Sequence, residues 1–503
     1  MANYKDNNSQ QGAFISVIPS EQILPGSFDH TVCLLIDHVL NLGSFDHDYK
    51  NDQGGRAAYS PAVLLKIILA AYHRGITGSR KIEQLCKTNT VFMALSGFLT
   101  PDHSTLAAFV SKSPSRIEVL FTEVVMACDD LGLIGKDAFA IDGTKLSSNA
   151  SKEQSGNKAD FTRRYQKVRK AIRYMLKQHR EEDSRGERDN ELRTKEEKQI
   201  EKLRVLSRRL KHNIDTMNDK IGSKGQAKKS NMTDPDSATM MSGAGGAKQG
   251  YMALACVDKK HQVIGTADIT GDTEQGAFIN LLDQLGRNLD NTLNKSRVLA
   301  DAGFLSTDNV NHCYENGIDA YIADNKYRKR DPRFIDHEAK KPESRKRKYF
   351  RAEDFYYDES SNHLTCPAGK AMWLSIPDYE LNGERYQRFT GYLNDCRNCS
   401  LQSRCMRASP KECGRQVSIK KGREVNPPRP LDLMKEKIDT RKGRAIYSDR
   451  MGIVEPVFGH IKFTLGLDWL SLRGKVKVKG QWLLFCMVHN LVKIQRYGDL
   501  KPV

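Results

Sequence analysis

Three acidic residues stand in settings where a carboxylate can do chemistry: Asp142 in FAIDGTKL, Asp301 in VLADAGF and Glu455 in YSDRMGIVEPVFGHIK. The two aspartates each end a short apolar run, DAFAIDGTKL and SRVLADAGF, that reads as a buried strand with an acid at its exit. One strand-end aspartate alone is as well explained by capping or structure. Two of them on adjacent strands of one sheet bring like charges together, which is costly unless a divalent cation holds them. Glu455 falls on a late helix, where Lys462, seven steps on, returns to within about 20° of the same face. Gly459 between them leaves the backbone open. With Glu455 packed across the sheet edge, the three carboxylates make a hard oxygen cage suited to two Mg²⁺ or Mn²⁺ ions about 3.5–4 Å apart. Such a pair activates a water or a 3′-hydroxyl for in-line attack at phosphorus. Glu455 and Lys462 also fit the plainer description of an exposed ion pair. Asp268, Asp272 and Asp324 also lie near strand ends and compete for the same role.

Several other side chains carry candidate chemistry. Cys366 in CPAGKAM, Cys396 and Cys399 in DCRNCS and Cys405 in RCM give a C-x₂-C pair with two further thiols. That set suits a tetrahedral structural Zn²⁺ stapling a loop too basic to build its own core; free thiols are the alternative. Cys33, Cys86, Cys128, Cys256, Cys313 and Cys486 sit in apolar or scattered contexts and read as small core residues. Trp469, in LGLDWLSLRG, offers a π-face for stacking on a base, although its apolar neighbours favour core packing. His489 and Asn490, on the apolar stretch WLLFCMVHNLV, read as hydrogen-bonded core polars.

The elements that must position these groups fall into an order. Up to about residue 130 the pattern is helical: SPAVLLKIILAAYHRG starts with Ser60 and Pro61 and stops at Gly75, followed by RKIEQLCKTN and TLAAFVSKSPSRIEVLFTEVVMACDDLG. Short helices with Gly-containing turns suit a helix-turn-helix module or a plain bundle. From Asp137 the texture turns to strands: the Asp142 run, GYMALACVD, HQVIGTADIT, a helix over TEQGAFINLLDQLGRNL, the Asp301 run, a helix over STDNVNHCYENG and the strand DAYIADN. That describes an α/β layer around one mixed sheet. Between the first two strands, 158–230 is highly charged. Its two apolar stripes, from Phe161 to Met175 and from Ile200 to Ile221, predict two long helices folded as a hairpin or pairing with another subunit. A second insertion, 326–440, is basic and loop-rich. Pro456 is expected to kink the late helix or to start a new one.

Lys and Arg number 80 against 62 Asp and Glu in 503 residues, a net charge of +18 that favours a polyanionic partner. KYRKRDPR, KKPESRKRKYFR, IKKGREVNPPRP and KEKIDTRKGR read as basic loops. The polar start lacks a signal-peptide core, and the apolar run near the end is too short for a membrane span. Eleven cysteines without an export signal point to reduced thiols or metal ligands, and hence to the cytoplasm.

These residues carry a resemblance. FAIDGTKL, TDPDSATM, QGYMALACVD, VLADAGFLS, the Cys-rich stretch and YSDRMGIVEPVFGHIK together, in that order, resemble the DDE transposases of bacterial insertion sequences, over nearly the whole chain from SPAVLLKI to HNLVKI. The resemblance implies a ribonuclease-H-like core (137–157, 231–325 and 441–495), an N-terminal helical DNA-binding domain (1–130), a helical-hairpin or coiled-coil insertion (158–230) and a Cys-rich insertion (326–440). It implies catalytic Asp142, Asp301 and Glu455 holding two Mg²⁺ or Mn²⁺, DNA contacts by Tyr447, Arg450, Lys462 and Trp469, and a homodimer on double-stranded transposon-end and target DNA in the nucleoid. The family helix is written Tyr, two residues, Arg, three residues, Glu, six residues, Lys; here four residues separate Arg450 from Glu455. A non-transposing metal nuclease and an inactive DNA-binding protein share parts of this pattern.

Overall fold

The computed structural model describes residues 18–48, 54, 57–185, 190–217, 229–241, 246–289, 292–337, 349–358, 360–381, 384–421 and 430–500. The chain divides into two compact units, Met1–Asp324 with Thr440–Val503, and Asn325–Asp439. The larger unit opens with α1 (Pro19–Gln22), α2 (Phe28–His38), α3 (Pro61–His73), α4 (Ser79–Thr88), α5 (Thr90–Ser96), α6 (His103–Lys112) and α7 (Pro114–Asp130). Their ends are set locally. Ser27, Asn89 and Asp102 cap α2, α5 and α6 through their side chains, and prolines open α3 and α7. Between α6 and α7 the chain breaks at Ser113 and Pro114, because proline cannot give its N–H to a preceding turn.

A six-stranded mixed sheet follows, its strands interleaved with β2 (Ser155–Gly156) and β3 (Ser230–Asn231), which form a separate two-stranded ribbon. The sheet strands are β1 (Ala138–Ser147), β4 (Ala238–Met241), β5 (Ala247–Asp258), β6 (Ile264–Thr270), β7 (Arg297–Ala300) and β8 (Asp319–Ile322). The order is β4-β5-β1-β7-β8, with β6 also on β5. β5 is antiparallel to β1, β4 and β6, whereas β1, β7 and β8 run parallel. The near-continuous burial of β5 and β6 requires cover on both faces. Between β2 and β3 run α8 (Lys158–Arg185) and α9 (Asn190–Thr216), an antiparallel pair in which His179 Nε2 lies 2.7 Å from Glu196 Oε2. The predicted stripe ends outside the described residues at Ile221. After β6 come α10 (Phe278–Asn288) and, beyond β7, α11 (Thr307–Glu315).

The smaller unit corrects the expectation of a loop. It contains α12 (Tyr327–Arg330), a five-stranded antiparallel sheet, and three more short helices. The strands are β9 (Tyr356–Asp358), β10 (His363–Thr365), β11 (Ala371–Leu381), β12 (Glu384–Gly391) and β13 (Gln416–Lys420), ordered β13-β12-β11-β10-β9. The helices are α13 (Leu393–Arg397), α14 (Gln402–Cys405) and α15 (Pro430–Asp439). Phe355, Leu364, Met372, Phe389 and Val417 give it a core of its own. Of the basic stretches expected as loops, KEKIDTRKGR is instead split between α15 and the next helix, and most of KKPESRKRKYFR lies outside the described residues.

The chain returns to the larger unit with α16 (Arg441–Gly459), a single π turn over His460–Thr464, and α17 (Lys475–Tyr497). α17 is buried on all sides from Gly480 to Val492, lying against β6 and against α7, α2 and α3. Asp234 and Asp236 of TDPDSATM hold its start: Asp234 accepts from Tyr251 Oη and Gly474 N, and Asp236 accepts from Lys475 N. His489 and Asn490 are satisfied, as expected. Asn490 exchanges hydrogen bonds of 2.8 and 2.9 Å with the backbone of Ile264, and His489 Nε2 donates to Gln262 O at 2.9 Å. Nδ1 of His489 must then accept from His460 Nδ1–H, 3.0 Å away, a pattern that holds only while His489 is neutral. Burial pushes His460 down to about 4 and His489 to about 3. Their stabilising effect is complete above the unfolded value near 6.5 and is lost as pH falls from there toward the folded values. Thermal melts should show stability dropping between pH 6.5 and 5 by up to roughly 1.4 kcal/mol per pH unit for each histidine, with a flatter slope in His460→Asn.

Candidate active site

Register places the two aspartates together. The parallel pairing of β1 with β7 ends at Ile141↔Ala300, so Asp142 and Asp301 are the next residues on neighbouring strands. Asp142 is not at a strand exit as expected: β1 runs on to Ser147, held by β5 through Asp142↔Ala255. Each acid is followed by a glycine whose N–H it accepts at 2.8 Å, Gly143 to Asp142 Oδ1 and Gly303 to Asp301 Oδ1. A Cβ on Gly143 would stand 2.8 Å from Leu254 Cδ2, which explains the glycine after Asp142. Both acids line one cleft with Thr144, Lys145, Lys248, Glu274 and Lys462. Burial pushes the Asp142 carboxyl above its usual range, against the pull of Arg450 and Gly143.

Helix α16 lies against β1 and β5 and delivers Arg450, whose Nη1 meets Asp142 Oδ2 at 2.6 Å. Neither side chain is more than 20% exposed, so this is an interior ion pair. Arg450 Cζ stands 6.0 Å from the ring centroid of Tyr447 on the preceding turn. Pro456 neither breaks α16 nor begins a new helix. Its missing N–H would orphan the carbonyl of Gly452, and Gln262 Nε2 supplies the donor at 3.1 Å. The π turn, in contrast, does alter the geometry expected for Glu455 and Lys462. It inserts a residue into the last turn, so seven steps no longer return to the same face. Lys462 lines the cleft, with burial depressing its ammonium; Glu455 is exposed on α16 and is not among the cleft residues. Trp469 is 48% exposed, not core, and the aromatic beside Lys462, Phe463, is 86% exposed.

Sequence reasoning missed Glu274. It stands at the start of a 3₁₀ turn (Glu274–Ala277) after β6 and faces the same cleft. Burial, then Asp301 and Asp142, push its carboxyl up to about 7. No local motif marks it; an acid heading the helix after β6 was the only signal. The rivals Asp268 and Asp272 do not line the cleft: Asp268 lies 3.7 Å from Lys479, and Asp272 is exposed. Among the described residues, no three acidic, histidine or cysteine side chains are grouped tightly enough to share one ion; Asp142 is taken up by Arg450 instead.

Residues 365–495 match the family model of a transposase DDE domain, and residues 21–112 that of a transposase domain (DUF772). The two matches support a DDE transposase of the insertion-sequence type. No curated protein matches it in sequence. The DDE match takes in β11, β12 and β13 of the smaller unit's sheet, Tyr447, Arg450, Glu455 and Lys462, while Asp142 and Asp301 precede it. The second match takes in α2 to α6 of the transposase. None of its described helices is long and apolar enough to cross a membrane.

In the smaller unit of the transposase, Cys366, Cys396, Cys399 and Cys405 line one cavity. Lys370 N donates to Cys366 Sγ at 3.3 Å and Arg415 N to Cys396 Sγ at 3.4 Å. Cys413 is exposed. Cys86, Cys128, Cys256, Cys313 and Cys486 are buried as expected, and Cys33 is partly so.

Proposed function

We propose that this transposase binds the terminal inverted repeats of its element, cleaves DNA at the ends and joins the 3′-hydroxyls to target DNA by two-metal phosphoryl transfer. The observation that carries the reading is the placement of Asp142 and Asp301 side by side at the C-terminal edge of the β1–β7 pairing, in a cleft edged by Lys145, Lys248 and Lys462. The donors are all hard oxygens, the set that suits Mg²⁺ or Mn²⁺. Asp142, Asp301 and Glu455 would hold the two ions, which polarise the phosphoryl oxygens and lower the pKa of the attacking hydroxyl. For Asp142 this requires Arg450 to let go, and Arg450 is then free for a DNA phosphate. Lys462, partly buried at the cleft, fits a second phosphate, and half-exposed Trp469 fits stacking on a base. Tyr447 would orient Arg450 from below.

In this reading the helices of 1–130 recognise the terminal repeats, 158–230 and 326–440 are insertions into a ribonuclease-H-like core, and the charged hairpin is a contact between the two subunits of a DNA-bound homodimer in the bacterial cytoplasm. The test is an incubation of the full chain with end DNA, a target plasmid and Mg²⁺. Joined products that vanish with chelator are expected, and cleavage without joining would favour a plain nuclease. The backbone N–H groups aimed at Cys366 and Cys396 suit thiolates, and the four cysteines would hold one structural Zn²⁺. Metal analysis of the purified chain should find about one zinc per chain, lost in Cys396→Ser with a fall in stability.

A further inference from the structure

We propose that Glu274 is a further carboxylate of the cation site, acting beside Asp142 and Asp301 in the cleft they share. The inference rests on the two-metal reading above and extends it to a residue outside the family's acidic triad.

The chain builds Glu274 into the cleft from two sides. Its 3₁₀ turn is tied to the loop that follows Asp301: Gln275 Nε2 donates to Leu305 O at 2.9 Å, and Asn309 Nδ2 donates to Gln275 O at 3.0 Å. The bare Cα of Gly303 then makes room for the carboxylate. A Cβ there would overlap Glu274 Oε2 and stand 3.0 Å from Asp301 Oδ1, so the two acids converge over one glycine. Among the described residues no cation pairs with Glu274, and the nearest basic neighbour in the cleft, Lys145, gives its Nζ to Met241 O at 2.8 Å. Among the described residues, the cation bonded within the group of acids is Arg450, and it is held by Asp142. A half-buried carboxylate facing two others, with Lys145 near but bonded elsewhere, is a position that costs stability unless an ion shares it. A structural Glu would instead be matched by a donor or a cation.

The test measures Mn²⁺ binding to the full chain by titration calorimetry and EPR at pH 8, without DNA, for wild type, Glu274→Gln, Glu274→Asp and Asp301→Asn. Glu274→Gln should bind Mn²⁺ about tenfold more weakly, with Glu274→Asp closer to wild type. The metal-free thermal midpoint supplies a second readout. Removing one of three like charges should leave Glu274→Gln at least as stable as wild type, whereas a merely structural role predicts a loss. Wild-type Mn²⁺ affinity in Glu274→Gln, together with a clear loss in Asp301→Asn, overturns the inference and leaves the two-metal reading standing. Unchanged affinity in Asp301→Asn, or no binding by wild type, overturns both.

Discussion

Asp301→Asn should lose about 10³-fold or more of DNA cleavage and joining while the chain stays folded. The amide keeps an oxygen for Gly303 N–H, so the local turn survives, but the charge that would bind a cation is gone. Asp142→Asn should differ in kind. It removes the partner of Arg450, an interior guanidinium whose Nε already lacks a bond, and breaking such a pair costs a few kcal/mol. The pair of variants therefore separates chemistry from architecture: both inactive on end DNA, only Asp142→Asn lowered in its melting midpoint. An active Asp301→Asn would remove the basis of the proposed mechanism.

Trp482→Ala carries the largest expected cost in stability, about 3–5 kcal/mol in urea unfolding. The side chain is fully buried on α17, its Nε1 donates to Leu254 O at 3.1 Å, and its ring lies 6.4 Å from that of Phe458. It thus fastens α17 to β5 and to the end of α16 at once. Because α16 brings Arg450 and Lys462 to the cleft, activity should fall before the chain unfolds. A loss below about 1 kcal/mol would mean that the site collapses around the cavity, contrary to the dense packing here.

Much of the larger unit was legible because its signals are local. The apolar runs ending at Asp142 and Asp301, the helix around Glu455 and the polar pair His489–Asn490 all express burial and propensity within a dozen residues. The smaller unit was not legible in the same way. Its strands, such as AMWLSIPDYEL and ERYQRFTG, mix aromatics with charges, and only their antiparallel pairing shows which face is buried. Pro456 misled for a related reason, since the donor that rescues the Gly452 carbonyl comes from Gln262, far away in the chain.

The sequence by itself determined the family, the two strand aspartates and the basic character. Tertiary structure alone decided which charges meet. Asp142 and Arg450 are 308 positions apart, and Glu274 reaches the cleft only because its turn is tied to the loop after Asp301. Local pattern records what a segment buries; strand register and helix packing set which distant side chains share a space, and neither is written in neighbouring residues.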